Sequence, residues 1–387
     1  MRLRAVRAVV IGASVDLDPD HDPDHRARVK LDALQSLPYR LPLRRPWQSA
    51  RGLIRERQGW LVTAESNGRS GFGDCAPLIE AGTESAADAD QSLWRWQERL
   101  PGLRIDSALD LLTARSPAAP AARYALECAL LDLESRLAGV PMRRWIAGPD
   151  AASVPDWIGA NAMLGPSLTV SEEAVAEAIG AGYRILKVKV GCADPDLEVA
   201  RLARLAQGLP SGLSLRLDAN GAWDQEAAER VIAALNGLPV ESLEEPLTRP
   251  DPAGLTKLQA LASFPLALDE SLASWIPGLG RVFFPVRRAV IKPAVIGGVG
   301  ATLRLAQRLR GLGIEVVLTG LVDSAAGIWA TAQVAAALDS PIPHGLATSD
   351  WLAQDLGTPP LPMGGRIQLP DEPGSGFEPD PTGGHRA

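Results

Sequence analysis

Cysteine and histidine are scarce in this chain. Its 387 residues include three cysteines and four histidines. Cys75, Cys128 and Cys192 are scattered and form no CxxC pair, which excludes a thiolate metal cluster and fits a reducing, cytoplasmic compartment. Of His21, His25, His344 and His385, two fall in an acidic N-terminal stretch and one in the tail, so neither a histidine-based triad nor a His-rich zinc site is expected. No apolar run approaches the ~18 residues of a membrane span. The opening MRLRAVRAVVIGAS is basic and then apolar, but the apolar part is short and broken by Arg7, so it does not read as an export signal. No GxGxxG follows a first strand, which weighs against a doubly wound dinucleotide-binding sheet. Positive charge is not in excess either. A net charge of -7 argues against a general nucleic-acid binder, and any anionic ligand must find its positive charge locally.

What the chain does have is a βα rhythm. Residues 1–30 contain VDLDPDHDPDHRARVK and read as a flexible extension. Residues 31–150 read as an α+β module. In it, strands at LQSLPYRLPL and WLVTAES flank an irregular loop, RRPWQSARGLIRERQG. A Gly/Pro-rich loop, GFGDCAPLIEAGTES, follows, then an amphipathic helix over 125–139 that ends at Gly139. From Val154 onward, strands are predicted at WIGANAML, ILKVKV, LSLRLDA, VESLEEP, PLALDES, AVIKPA and EVVLTG, with a short last piece near PHGLAT. Helical runs separate most of them, which implies a parallel sheet, and seven or eight units predict a closed barrel over 151–345. The stretch 346–369 is expected to return to the N-terminal module and complete it. Residues 370–387 read as a disordered tail.

The predicted strands carry charges at their C-terminal ends. Lys187 and Lys189 lie in LKVKVG, Asp218 in LRLDANG, Glu244 in SLEEP, Asp269 in LALDES and Lys292 in VIKPAVIGG. In a parallel barrel these ends converge on one mouth. Lys187 and Lys189 are two apart and face one side of a strand. Their like charges would depress each other's pKa, which makes an amine a usable base. Three carboxylates on successive strands can share one hard cation, Mg²⁺ or Mn²⁺. Glu244 and Glu245 point to opposite faces, and Glu244 is the candidate ligand. Lys292 would face a substrate from the far side, or pair with Asp269. Arg216 shares the face of Asp218 and is either a counter-ion or an anion binder. Thr319 and Gly320 end the seventh strand. Ser324 then starts a helix, whose N-terminus would cap on it or favour a bound carboxylate.

These motifs, K-x-K, D-A-N, E-E-P, D-E-S and K-P in that order across 31–365, resemble the enolase superfamily in its muconate lactonizing enzyme subgroup. Within the subgroup, RLDANGAW, IKPAVIGG and GDCAPL followed by EAGTES are most similar to the o-succinylbenzoate synthase family. The resemblance implies a modified (β/α)7β TIM-like barrel with an N-terminal α+β capping domain. It also implies a Mg²⁺-dependent dehydration of a cyclohexadiene carboxylate in menaquinone biosynthesis. By motif, Lys189 would be the base and then the acid, assisted by Lys187. Asp218, Glu244 and Asp269 would hold Mg²⁺, and Lys292 would stabilise an enediolate. Arg216 would match an active-site arginine. Thr319 and Gly345 would be backbone donors to a substrate carboxylate, and loops at 44–52 and 74–84 would close over it. The expected partner is a small carboxylate, with no nucleic acid or membrane. The same two-lysine site would also serve an N-succinylamino acid racemase or a dipeptide epimerase, and more weakly a muconate cycloisomerase. A barrel that only binds metal is a further alternative.

Overall fold

The computed structural model describes residues 29–380 except 50–51, 115–117, 150, 152 and 282. Most of the expected extension, residues 1–28, therefore lies outside the described residues.

Three antiparallel strands, β1 (Ala33–Ser49), β2 (Gly52–Ser66) and β3 (Arg69–Cys75), form the N-terminal sheet in that order. β2 and β3 meet at Asn67–Gly68, with φ of 49° and 70°, the left-handed pair of a tight hairpin turn. The irregular loop expected around 44–52 is instead a continuation of the β1–β2 hairpin, with a register shift between Pro42 and Trp47. Proline and arginine obscured the pattern, because a two-stranded ribbon outside the core needs no apolar alternation.

Helices at Ala86–Arg99, Ile105–Thr113, Pro120–Leu137 and Met142–Ala147 follow. The third differs from expectation. It begins at Pro120 and is buried on nearly every face rather than amphipathic. It lies between two layers. On one side β3 approaches so closely that a Cβ on Gly73 would stand 2.0 Å from the Ala125 carbonyl oxygen. On the other, Tyr124 hydrogen-bonds Thr331 and Glu127 accepts from the amide of Gly300.

The C-terminal sheet is curled and parallel. Its seven strands run in chain order: β5 (Ala162–Pro166), β6 (Ile185–Lys189), β7 (Ser214–Asp218), β8 (Val240–Glu244), β9 (Leu266–Leu268), β10 (Arg288–Ile291) and β11 (Glu315–Leu318). Two single parallel bridges, Ala160 to His344 and Thr319 to Gly345, link its two edges. WIGANAML is not one strand. Trp157–Gly159 (β4) leaves the barrel and pairs antiparallel with Arg366–Gln368 (β12).

The expectation of disorder from residue 370 is corrected over 370–380. Phe377 is fully buried and edge-on to Phe72 at 5.4 Å, and Asp132 accepts from the amide of Ser375. One aromatic ring and a few backbone donors anchor this glycine- and proline-rich segment, too little apolar content to register in composition. Residues 381–387 lie outside the described residues.

Candidate active site

Parallel register assembles the site. Lys189 lies beside Asp218, and Asp218 beside Glu244; Asp269 directly follows β9 and Lys292 directly follows β10. One oxygen from each of Asp218, Glu244 and Asp269 lies within 4.8 Å of the others, and all three residues are buried. Such a trio of hard donors fits a Mg²⁺-type cation.

The lysines surround that trio. Lys187 donates to Glu244 and lies 3.1 Å from Asp218. Lys189 donates to the Asn220 side-chain oxygen at 2.6 Å and lies 3.4 Å from Asp218. Lys292 contacts both oxygens of Asp269, at 2.6 and 2.7 Å. Burial of this many charges is tolerable because each has an opposite neighbour. The depressed pKa expected of a lysine pair does not hold for Lys187. Burial pulls its pKa down, but Asp218, Glu244 and Asp269 outweigh burial and hold it above the ordinary value. For Asp218, burial pushes up and the three lysines push harder in the other direction, leaving it low. Asp269 is raised, because burial exceeds the pull of Lys292.

A model described as enolase C-terminal domain-like matches residues 170–383, and one described as MenC, N-terminal domain, matches 34–133. An L-Lys-D/L-Arg epimerase of Methylococcus capsulatus is 30% identical over 374 residues, covering 90% of this chain and 99% of the relative. The chain belongs to the enolase superfamily. An o-succinylbenzoate synthase of Desulfotalea psychrophila is 27% identical over 355 residues, covering 82% of this chain and 93% of its own. The crystal structure of a dipeptide epimerase from Enterococcus faecalis, complexed with Mg and a dipeptide, superposes with TM-score 0.79 at 23% identity, covering 90% and 99% of the two chains. At that identity the likeness shows the fold, the TIM-barrel type of the enolase superfamily.

Other expected residues of this superfamily site are placed differently. Arg216 does not reach the mouth. Its guanidinium is 1% exposed and bonds Glu241 at 3.0 Å, the Asn161 side chain at 3.0 Å and the Pro343 carbonyl at 3.0 Å. Glu241 also pairs with Arg288, which pairs with Glu315, so Arg216 belongs to an ion-pair network one row away from the mouth. Burial pushes Glu241 up, yet Arg216 and Arg288 bring it down to about 2. The backbone donors expected at Thr319 and Gly345 are already used. Thr319 donates to the Ile291 carbonyl at 3.0 Å and Gly345 to that of Leu318 at 2.9 Å, since the edges of the barrel sheet join there. Gly320 lies half-buried just beyond. The helix start at Ser324 already holds protein carboxylates: Asp74 accepts from the Ser324 amide and hydroxyl at 2.9 and 2.8 Å, and Asp355 from the Ala325 amide at 2.7 Å. His344 is buried, and its Nδ1 accepts from the Leu318 amide. Burial, then Arg216, lowers its pKa to about 3, so it is a neutral structural group.

Three residues of the site, Asn220, Glu245 and Glu270, were given no role from the sequence. Asn220, at φ 46°, holds Lys189 and donates to Glu270 at 2.9 Å. Glu245, at φ 44°, accepts from the Asp269 amide at 2.8 Å and so fixes the backbone of a carboxylate ligand candidate. All lie within the motifs, one or two places after a candidate metal ligand. The available signal was the doubling of acids in E-E-P and D-E-S, the second acid supporting the first.

Proposed function

We propose that this chain is an o-succinylbenzoate synthase. It would dehydrate 2-succinyl-6-hydroxy-2,4-cyclohexadiene-1-carboxylate by syn elimination, in menaquinone biosynthesis. The observation that carries the reading is the asymmetry of the two lysines. Lys292 is clamped by both oxygens of one carboxylate, whereas Lys189 rests on a neutral amide, with Asp218 more distant. Burial would discharge Lys292, but Asp269 and Glu270 keep its pKa raised, so it acts as a fixed positive charge. A cation held on its own carboxylate, facing a lysine set against Asn220 and Asp218, suits an elimination that uses a single base. The match of residues 34–133 to the MenC N-terminal domain adds support.

Asp218, Glu244 and Asp269 would hold Mg²⁺, which as a Lewis acid offsets charge developing on the substrate carboxylate. Lys189 takes the proton from the carbon bearing that carboxylate. Lys292 stabilises the resulting enediolate through preorganised charge. The protonated Lys189 then returns its proton to the departing hydroxyl; the C–O bond breaks, water leaves and the ring becomes aromatic. Lys187, between Asp218 and Glu244, keeps the carboxylates in place. The pairing of a lysine base with Mg²⁺ in this superfamily is established chemistry.

The test is a Mg²⁺-dependent ultraviolet assay of the dehydration, run beside α-proton exchange of N-succinylamino acids in D₂O. Dehydration with only slow exchange is expected. Fast exchange or racemisation without dehydration would replace this reading with an N-succinylamino acid racemase or dipeptide epimerase. That second reading draws on the opposed lysines and on the 30% identity to an epimerase.

A further inference from the structure

Arg57, on β2, is 3% exposed, yet among the described residues its hydrogen bonds go to carbonyls. Nη2 donates to Ala76 at 2.6 Å and Nη1 to Pro77 at 3.2 Å, both in the capping loop after β3. Nε donates to Val322 at 3.3 Å, in the turn after β11. One planar fork thus joins a loop of the capping domain to a loop of the barrel.

The barrel turn follows the C-terminal end of β11, and the capping loop reaches the segment after Lys292. The capping loop is braced internally by Leu78 donating to the Thr83 hydroxyl at 2.6 Å. Its tip presents Ile79 at 63% exposure, and a Cβ on Gly82 would stand 3.6 Å from Val295, three residues past Lys292. The barrel turn begins at Thr319 and Gly320. Val322 sits there at φ 61°, a conformation costly for a β-branched residue unless its surroundings impose it. The capping domain does so: the Val322 side chain is buried with Tyr39, Leu41, Leu61 and Phe72. Its neighbour Asp323 folds back on the Leu321 amide at 3.1 Å, and Ser324 is held by Asp74, which itself accepts from Tyr39 at 2.5 Å.

We propose that Arg57 is a positioning residue that locks the capping loop 76–83 to the barrel turn 319–324, so that the two form one wall of the substrate mouth and move together. The link to substrate binding rests on the function proposed above; the coupling of the loops does not.

The experiment is hydrogen–deuterium exchange on full-length, Mg²⁺-loaded protein, comparing wild type with Arg57→Met and with Arg57→Lys, which keeps the charge but not the fork. Exchange should quicken in 76–83 and 319–324 together, by about tenfold or more, with 185–190 and 214–219 unchanged. In the dehydration assay KM should rise by about tenfold with kcat within about threefold. If Arg57→Met does not fold, Arg57→Lys carries the same measurement. Faster exchange in one loop alone, faster exchange throughout the barrel, or an unchanged KM overturns the proposal. Absence of turnover on the dehydration substrate would defeat the assigned function, and the exchange result would still decide the coupling.

Discussion

At the barrel mouth, three buried carboxylates meet three ammonium groups, and the charges pair directly. At the seam between capping domain and barrel, Asp74 and Asp323 are equally buried, but Arg57 beside them spends its donors on carbonyls. Their electrostatics diverge accordingly. At the mouth, Lys187 and Lys292 stay charged and Asp218 is held low, although burial still raises Asp269 against the pull of Lys292. At the seam, burial and then Asp74 push Asp323 up to about 6, and burial pushes Asp74 up against bonds from Tyr39 and Ser324. Neutral donors do not replace a counter-ion in compensating the loss of water. The mouth is thus arranged for a charged ligand, and the seam for docking.

The comparison breaks most readily at Lys189. Replacing it with alanine should lower turnover by about 10²- to 10⁴-fold, while free-ion paramagnetic resonance still shows Mn²⁺ binding. Turnover persisting within a few-fold would remove Lys189 from acid–base chemistry and leave the mouth as a metal-binding device. Next is the ion-pair network at Arg216. Arg216→Met removes one of the two arginines on Glu241, leaving Arg288, and should cost about 1.5–3 kcal/mol in a urea melt, with KM unchanged. A raised KM at unaltered stability would return Arg216 to the anion-binding role. Metal follows: Mg²⁺ or Mn²⁺ at a hundredfold its Kd should stabilise the fold by about 2.7 kcal/mol. EDTA or Asp269→Asn should abolish that gain in thermal melts.

The seam gives the smallest effect, and it has a sign. The folded pKa of Asp323, about 6, lies above its unfolded value, so the folded state binds the extra proton. Its contribution to stability is therefore full below the unfolded pKa and is lost as pH rises through about 6. Asp323→Asn should match wild type at pH about 4 and exceed it by on the order of 1–2 kcal/mol at pH about 8. A variant less stable than wild type at the higher pH would show that the Asp323 charge is used.

The strand-end charges were legible because a parallel barrel turns one-dimensional spacing into convergence. Asp218, Glu244 and Asp269 needed only the rhythm of strand and helix to meet. Arg216 misled because period two assigns a residue to a face but does not say how far along the barrel a long side chain reaches, nor that Glu241 waits there. At Ser324 the sequence left capping and a bound carboxylate open; in the structure Ser324 stands at the N-cap position, and Asp74, 250 positions away, accepts from it. Phe377 anchors a segment whose composition reads as disordered.

The sequence alone determined the order of strands, the hard-donor trio and the lysines around it, since each depends on local periodicity and on topology that periodicity implies. Only the tertiary structure decided which polar groups remain available to a ligand. Most buried donors and acceptors take a partner near in space, and those partners, Glu241 for Arg216 and Asp74 for Ser324, come from elements that no local pattern connects.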